Sequence, residues 1–222
     1  RTAAAPRHAA PQPMAPVQVR PAGMTRRSDR EQWTRSLFDR SAAGYDASSG
    51  SPFLGAGRWY RARMLRAAGL RPGSALLDVG AGTGLCSWLA QRIVGPTGRV
   101  LAVDPSPGML EQARRRGVRE TMQGSAEKLP VESASFDMVA MSYMLRHVDD
   151  LSQAFAEARR VLRPGGRILI LEVTSPTQPL ARGVFHAAMI NAVPALGVLT
   201  SGRPSTFPMM RYWGETIRDA AP

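Results

Sequence analysis

A glycine-rich loop beside an acidic residue is the segment whose residue types and spacing most clearly indicate chemistry. Residues 76–84 have the sequence LLDVGAGTG, in which Asp78 precedes Gly80, Gly82 and Gly84. Glycine permits a tight turn and lets a ligand approach the backbone closely. A helix that begins after such a loop presents backbone N–H groups to the ligand. The segment therefore predicts a binding loop at the carboxyl end of a strand.

The spacing and charge of this loop select among cofactors. The dinucleotide fingerprint is GxGxxG, whereas the loop has GxGxG with the Asp78 carboxylate two residues before its first glycine. A carboxylate repels a pyrophosphate, but it suits a ligand that carries an ammonium or sulfonium group. The loop thus favours S-adenosylmethionine over a nicotinamide dinucleotide.

A second acid, Asp104, ends a predicted strand 26 residues after Asp78. A carboxylate there can accept hydrogen bonds from both ribose hydroxyls of an adenosine. A nicotinamide cofactor would use the same acid, and Asp104 followed by Pro105 could instead open a helix. We expect Asp104 to bind the ribose.

Alternating strands and helices must position these residues. Apolar runs predict strands at 75–79, 100–103, 118–122, 136–141 and 167–173, and amphipathic runs predict helices at 84–94, 107–116 and 151–162. The last strand is apolar on both faces. Strands of this kind, alternating with helices, indicate an α/β fold with a parallel sheet covered by helices on both faces.

The flanking segments complete the predicted organisation. Residues 1–27 are rich in Ala, Pro and Arg and predict a flexible tail, with a transit peptide as the alternative. Residues 28–222 are expected to form a single domain. Its parts are a helical cap (28–74), a cofactor-binding core (75–180), and a region that covers the acceptor or forms a dimer contact (181–222). Within the cap, a capping box at 28–31 opens a helix, a Gly/Ser-rich break spans 44–57, and a second helix covers 58–68.

Charge and composition exclude several classes of function. The net charge of +12 lies mostly outside the core, since residues 1–27 carry +5 and residues 75–180 only +1. We therefore do not expect nucleic-acid binding, and weak attraction to an anionic membrane suits the pattern at least as well. The single Cys86 excludes an intrachain disulfide framework, and the dispersed histidines predict no metal site. We found no apolar run of ~18 residues and expect a cytoplasmic protein, with peripheral membrane contact as a further hypothesis.

The order of several motifs resembles the S-adenosylmethionine-dependent methyltransferases with the Rossmann-like, doubly wound fold. The motifs are DVGAGTG at 78–84, VLAVDPSPGML at 100–110, GSAEKLP at 124–130, FDMV at 136–139 and RRVLRPGGRILILEV at 159–173. More narrowly, the chain resembles the ubiquinone/menaquinone biosynthesis C-methyltransferases through FDRSAAGYD at 38–46, YMLRHVDD at 143–150 and NAVPALGVLTSG at 191–202. The resemblance covers about residues 36–218.

The resemblance implies a set of cofactor-binding residues. They are Tyr45, Asp78, Gly80, Ala81, Gly82, Gly84, Asp104, Pro105, Met109, Ser125, Ala126 and Ser142. In the family, the glycines hold the methionine part, Met109 or its neighbours cover the adenine, and the Tyr45 position closes over the cofactor. Ser125 replaces a family Asp that meets the adenine amino group, so we expect a weaker contact there.

Two residues after the fourth strand are the catalytic candidates. Methylation of a quinol ring carbon requires a neighbouring hydroxyl to lose its proton. Arg146 matches the Arg of the family's Leu-Arg-Asn motif and could stabilise a phenolate. His147 replaces the Asn and could accept the proton, because the unperturbed pKa of histidine lies near neutrality. The alternatives are a salt bridge for Arg146 and a helix-start role for His147.

The resemblance implies transfer of a methyl group from S-adenosylmethionine to a small aromatic acceptor, with S-adenosylhomocysteine as the product. The expected acceptor atom is a ring carbon of a prenylated quinol. Alternatives are an O- or N-methyltransferase of secondary metabolism and an inactive, cofactor-binding scaffold subunit.

The carboxyl-terminal part of the chain leaves further alternatives open. The resembled family continues with a helix and two more strands, so the chain is either a fragment or leaves strand 167–173 near an open edge. We expect such an edge to cause dimerisation or reduced stability. The apolar segment 184–199 is too short to span a bilayer. It either covers the acceptor, touches a membrane, forms a dimer contact or is a core helix.

Overall fold

The computed structural model describes residues 27–50, 56–202 and 206–219. Its centre is a five-stranded parallel sheet with the order β3-β2-β1-β4-β5. The strands are β1 (Ala75–Val79), β2 (Arg99–Asp104), β3 (Glu120–Gln123), β4 (Phe136–Ser142) and β5 (Leu162–Leu171). The strand order reverses direction between β1 and β4, which is where open α/β sheets form their ligand crevice.

Eight α-helices are described around the sheet. They are α1 (Arg27–Gly50), α2 (Ala56–Ala67), α3 (Leu85–Val94), α4 (Pro107–Arg115), α5 (Leu151–Val161), α6 (Pro179–Ala187), α7 (Val193–Ser201) and α8 (Thr206–Asp219). A 3₁₀ turn covers Leu145–His147, and a π-helical turn, Ala188–Ala192, joins α6 to α7. The sheet with surrounding helices confirms the predicted Rossmann-like α/β class.

Alternate residues of the central strands build two cores on opposite faces of the sheet. Leu77 and Val79 of β1 pack with Val139 and with Ala158 of α5. Leu76 faces the other way, into a cluster that includes Leu65, Ala90 and Met138. Strands with two buried faces need apolar residues at every position. This explains why β1, β2 and β4 were recognisable as continuous apolar runs.

The cap differs from the sequence prediction. Residues 44–50, expected to be part of a break, continue α1 to Gly50, and α2 begins at Ala56. Residues 51–55 of that predicted break, and residues 1–26 of the predicted tail, lie outside the described residues. Within the extension, Tyr45 packs against a third cluster, in which Leu37 of α1 contacts Met210 and Tyr212 of α8. Tertiary packing here overrides the low helix propensity of glycine and serine.

The last strand also differs from its prediction. β5 begins at Leu162 and forms one edge of the sheet. Most of its residues are exposed or half-buried, so it is not covered on both faces as predicted. Ile168 is 37% exposed and Ile170 is 44% exposed. The weak third strand is likewise shifted to Glu120–Gln123, because Val118 packs between the sheet and α4 instead.

The apolar segment near the carboxyl end is longer than its sequence suggested. Pro179–Leu199 is a helical stretch of 21 residues with mean hydropathy 1.3 and 17% of its most apolar window buried. By length and composition alone this stretch is long enough to cross a membrane, contrary to the expectation from residues 184–199. Core helices of soluble proteins can pass the same test, which makes this a weak indicator.

Candidate functional site

A cavity of about 1500 Å³ opens at the carboxyl ends of β1, β2 and β4. The strands end at this edge with Asp78 as the penultimate residue of β1, Asp104 as the last of β2 and Ser142 as the last of β4. The predicted site residues that line the cavity are Tyr45, Asp78, Gly80, Ala81, Gly82, Asp104, Pro105, Met109, Ser125, Ala126, Ser142 and His147. Two predicted residues, Gly84 and Arg146, are not part of the lining.

The three loop glycines have different structural roles. All adopt positive φ angles, of 64° at Gly80, 56° at Gly82 and 76° at Gly84. A Cβ added to Gly82 would meet nothing within 4 Å, so its backbone is open to the cavity. A Cβ on Gly84 would lie 2.7 Å from the Ala113 Cβ. Gly84 therefore permits close packing of the loop against α4, and its contact with the cofactor stays a prediction.

Asp104 connects the glycine loop to the start of α4. Its Oδ2 accepts a hydrogen bond from the Gly82 N–H at 2.8 Å, and its Oδ1 accepts one from the Ser106 N–H at 2.9 Å. Burial raises the pKa of Asp104 to about 6, although both hydrogen bonds oppose the rise. The helix cap is Ser106, whose hydroxyl accepts from the Met109 N–H at 3.1 Å. The capping alternative for Asp104 is therefore wrong, and its carboxylate is held at the cavity wall.

Asp78 is a buried carboxylate at the base of the loop. Its Oδ2 accepts a hydrogen bond from the Ser87 hydroxyl at 2.5 Å. Its Oδ1 is buried and has no hydrogen-bond partner among the described residues. Burial raises its pKa to about 6, while Ser87 and the charge of Arg61 lower it. A buried carboxylate oxygen of this kind needs a donor or a positive charge to offset its lost hydration.

These features match the groups of S-adenosylmethionine. The open backbone at Gly82 admits a ligand, Asp104 can receive ribose hydroxyls, and the second oxygen of Asp78 suits a cationic group. Within residues 27–50, 56–202 and 206–219, no group of three or more His, Cys, Asp or Glu side chains is placed to hold a metal ion.

Asp39 is a site residue that the sequence analysis missed. Its Oδ1 accepts hydrogen bonds from the Ser106 hydroxyl at 2.5 Å and from the Gly108 N–H at 3.0 Å. A Cβ on Gly108 would lie 3.1 Å from Asp39. Through this contact α1 is joined to the loop that carries Asp104. The position of Asp39 directly after Phe38 in the FDRSAAGYD motif was the available signal.

An aromatic cluster around His147 forms the opposite wall of the cavity. The His147 Nδ1 lies 3.1 Å from the Tyr212 hydroxyl, and the two rings stack with centroids 5.5 Å apart. Phe38 meets the imidazole edge-on at 5.3 Å, and Tyr45 packs 6.3 Å from Phe38. Burial and the positive charge of Arg146 hold the pKa of His147 well below its usual value. The imidazole is therefore neutral at physiological pH, which corrects the expectation of an unperturbed pKa.

Arg146 lies behind this wall. Its guanidinium pairs with the Glu172 carboxylate, and only 5% of the Arg146 side chain is exposed. Burial lowers the pKa of Arg146, while Glu172 opposes the shift. The ion pair is the alternative that the sequence offered for Arg146, and contact of Arg146 with an acceptor phenolate stays a prediction. Arg146 also acts on the neighbouring His147 through its charge.

Comparison with known proteins agrees with this geometry. The model of the ubiE/COQ5 methyltransferase family matches residues 25–220. The chain is 34% identical over 198 residues to the ubiquinone/menaquinone biosynthesis C-methyltransferase UbiE of Hahella chejuensis, covering 86% of this chain and 78% of that protein. It is 36% identical over 200 residues to the demethylmenaquinone methyltransferase of Symbiobacterium thermophilum, covering 85% and 79%.

A solved structure supports the fold. The phosphoethanolamine N-methyltransferase 1 of Haemonchus contortus, determined with phosphoethanolamine and S-adenosylhomocysteine, aligns with a TM-score of 0.58 and 23% identity. The alignment covers 68% of this chain and 34% of that protein. From the family match and these relatives, the chain belongs to the ubiE/COQ5 methyltransferase family and is an S-adenosylmethionine-dependent methyltransferase.

Proposed function

We propose that this protein methylates a ring carbon of a prenylated quinol, with His147 and the residues around it holding the acceptor. The observation that carries the proposal is the aromatic wall of Phe38 and His147, which shares one cavity with the carboxylates Asp78 and Asp104. The cavity, about 1500 Å³ in volume, exceeds the roughly 300–1,000 Å³ of most ligand sites. This leaves room for an acceptor beside the cofactor.

The carboxyl-terminal helices supply part of the acceptor wall. Phe185 of α6 and Met189 of the π-helical turn line the cavity, and Val173 lies beside them. Apolar side chains here suit a hydrophobic ring and chain. This supports the interpretation that residues 181–222 cover the acceptor.

The chemistry follows from what each side of the cavity provides. When bound, S-adenosylmethionine supplies an electrophilic methyl group on a sulfonium. The glycine loop, Asp78 and Asp104 would hold the cofactor, while Phe38 and Tyr45 exclude water from the space between the two ligands.

His147 would handle the acceptor proton. If its Nδ1–H donates to the Tyr212 hydroxyl oxygen, the Nε2 lone pair is available to a phenolic hydroxyl of the acceptor. The low pKa keeps the imidazole neutral, so that its Nε2 lone pair is free to accept a hydrogen bond from the acceptor hydroxyl. Arg146 is a positioning residue, because its charge disfavours a lasting imidazolium.

A labelled-methyl transfer assay tests this function. Demethylmenaquinol is the acceptor, and fragmentation of the product by mass spectrometry distinguishes a new C–methyl from an O–methyl group. We expect C-methylation by the wild type and a loss of at least ~100-fold in His147→Ala, with S-adenosylhomocysteine affinity changed less than a few-fold. His186→Ala is the matched control, since His186 bonds Ser175 at 3.0 Å outside the cavity lining.

Other outcomes of that assay decide between the remaining interpretations. O-methylation would assign the protein to a different acceptor chemistry. Cofactor binding without any transfer, on quinols and on other phenols, would indicate a non-catalytic subunit. Equal activity in the wild type and His147→Ala would contradict the role given to His147.

We also propose a cytoplasmic location with peripheral membrane contact. Leu180 is 83% exposed and Leu199 is 80% exposed on the helical stretch from α6 to α7. Exposed apolar side chains here could enter the surface of a membrane that holds the lipophilic acceptor. Sedimentation with anionic vesicles should recover the wild type and not the Leu180→Asp, Leu199→Asp double variant. Equal recovery of both would contradict the contact.

A further inference from the structure

A π-helical turn carries Met189 at the cavity wall. In this turn, Ala188–Ala192, the helix is wider than a regular α-helix, and the Val193 N–H donates to the Ala188 carbonyl. Pro194 follows directly. In a regular helix a proline ring clashes with the carbonyl four residues before it, and the wider turn relieves that clash. Turns of this kind are rare and occur frequently at functional sites.

Helix α8 packs closely against this turn. A Cβ added to Gly214 would lie 2.5 Å from the Met189 carbonyl oxygen and 2.9 Å from its carbonyl carbon. Glycine at this position therefore lets α8 approach the backbone of the turn. The Met189 side chain shares a cluster with Ile217 of α8, against which Phe185 packs, and only 5% of Met189 is exposed. Both the backbone and the side chain of Met189 are thus fixed by their neighbours.

The lining of the cavity differs between the aromatic wall and the carboxyl-terminal side. His147 and Phe38 belong to the aromatic wall, where the hydroxyl of the acceptor is proposed to lie. In the described part of the chain, the lining residues after β5 are Val173, Phe185 and Met189, all of them apolar. Their side chains provide no hydrogen-bonding group, and they gain from contact with hydrocarbon.

Exposed apolar side chains lie beside these lining residues on α6. Val184, next to Phe185, is 64% exposed, and Leu180, one turn earlier, is 83% exposed. A hydrocarbon chain that extends from the cavity past Phe185 would therefore meet further apolar surface. This arrangement suits an acceptor whose polar ring carries a long apolar chain.

We propose that Met189 is a specificity-determining residue that selects acceptors by the apolar chain on their ring. The inference rests on the proposed function, because it takes the acceptor ring to lie at His147. Methionine is unbranched and adapts to irregular apolar shapes, which suits contact with a flexible chain. Loss of the Met189 side chain should weaken binding of an acceptor that bears the chain and leave binding of the bare ring unchanged.

Two ligands that differ only in the chain provide the test. They are unprenylated naphthohydroquinone and its monoprenyl derivative, kept reduced under nitrogen and titrated into the protein saturated with S-adenosylhomocysteine. By calorimetry, the wild type should bind the monoprenyl derivative at least ~30-fold more tightly. In Met189→Ala this preference should fall by roughly 5- to 10-fold, with the affinity for the unprenylated ligand changed less than about twofold.

Met210→Ala is the matched control. Met210 is a methionine of α8 that is 1% exposed, and it is not part of the cavity lining. The same substitution there should lower stability and keep the wild-type preference for the monoprenyl derivative. If Met189→Ala folds poorly, Met189→Leu nearly conserves the side-chain volume. It should show a smaller loss, again confined to the monoprenyl derivative.

Three results would overturn the proposal. An equal loss for both ligands in the Met189 variants would show that Met189 only supports the fold of the site. An unchanged preference in a folded Met189→Ala variant would show that the chain lies elsewhere. A wild type without any preference for the monoprenyl derivative would show that the protein does not select the chain. The labelled-methyl assay tests the proposed function separately, because these titrations do not require turnover.

Discussion

Asp78 and Asp104 are both buried at strand ends, and burial raises the pKa of each to about 6. In the free protein, both carboxyls therefore hold their protons at a higher pH than ordinary aspartates. The ionised forms are the ones that would suit the proposed cofactor contacts, in which Asp78 faces a cationic group and Asp104 accepts hydrogen bonds from ribose hydroxyls. Cofactor binding must then compete with protons below pH 6.

We predict that affinity for S-adenosylhomocysteine rises with pH through about 6 and levels off above about 7. Because the bound state favours both ionised carboxylates, each decade of proton concentration below a pKa of about 6 should cost up to ~10-fold in affinity per carboxyl, or up to ~100-fold for the two together. Calorimetry between pH 5 and 8 measures the profile. A flat profile over this range would contradict the raised pKa values or the contacts assigned to these acids.

Most of the predicted site residues line one cavity, because they occupy one continuous loop or the ends of neighbouring strands. The sequence could not identify the ion-pair partner of Arg146, for a physical reason. The partner of Arg146 is Glu172, which lies on the chain directly after β5, and no spacing rule connects the two. Asp39 was missed for the same reason, since its partners Ser106 and Gly108 are far away in sequence.

Substitution of two glycines of the same loop by alanine is expected to have different effects on stability. Gly84→Ala places a methyl group 2.7 Å from the Ala113 Cβ, in addition to the unfavourable positive φ. We expect it to lower the free energy of unfolding by about 2–4 kcal/mol. Gly82→Ala meets no atom within 4 Å and should cost about 1–2 kcal/mol through its φ alone.

Urea denaturation and calorimetry together check this pair. Gly82→Ala should weaken S-adenosylhomocysteine binding more than its small loss of stability suggests, because the added methyl group projects into the cavity. If Gly84→Ala were the milder change in stability, the packing role assigned to Gly84 would be incorrect.

Loss of the contact between Asp39 of α1 and the start of α4 should affect both stability and cofactor binding. Asp39→Ala removes the acceptor for the Ser106 hydroxyl and the Gly108 N–H, and so loosens the loop that holds Asp104. We expect a loss of about 1–2 kcal/mol in stability and a roughly 3- to 10-fold weaker affinity for S-adenosylhomocysteine. Denaturation and calorimetry measure the two effects.

Asp150→Ala is the control for a lost helix cap. The Asp150 Oδ1 accepts from the Gln153 N–H at 2.9 Å at the start of α5, and Asp150 does not line the cavity. This variant should lose similar stability and keep the wild-type affinity. Equal weakening of binding in both variants would mean that Asp39 has no specific link to the cofactor site.

Elements were predicted well where the chain is buried on both sides. β1 has its predicted bounds, and β2, β4, α3, α4 and α5 are shifted by one or two residues. The errors lie in elements whose form depends on distant partners. α1 runs through residues 44–50, in a helix that packs on α8, and β5 is an edge strand although its sequence is apolar. The length of α1 and the edge position of β5 both depend on distant parts of the chain and not on the local sequence.

The exposed edge of the sheet at β5 leads us to expect that the protein associates with a second copy of itself. Ile168 and Ile170 lie on the same face of β5 and remain exposed, and β5 pairs only with β4 in the described part of the chain. Apolar edge strands favour pairing between chains. We predict a dimer in sedimentation experiments at micromolar concentration.

An Ile168→Lys, Ile170→Lys variant should shift this equilibrium to the monomer. Met122→Lys is the control on the opposite edge strand, β3, where Met122 is 38% exposed. It should leave the association unchanged. A wild type that stays monomeric at all concentrations, or a Met122→Lys variant that dissociates instead, would contradict association through β5.

The central claim is that the methyltransferase binds its cofactor at the carboxyl ends of β1, β2 and β4. Calorimetric titration with S-adenosylhomocysteine, comparing the wild type with Asp104→Asn, decides this. We predict saturable binding of one ligand per chain and at least ~10-fold weaker binding in Asp104→Asn. The variant should also melt at a lower temperature, because an asparagine side chain can accept only one of the two backbone N–H hydrogen bonds that Asp104 accepts. No heat of binding at millimolar ligand, or equal affinity in the two proteins, would contradict it.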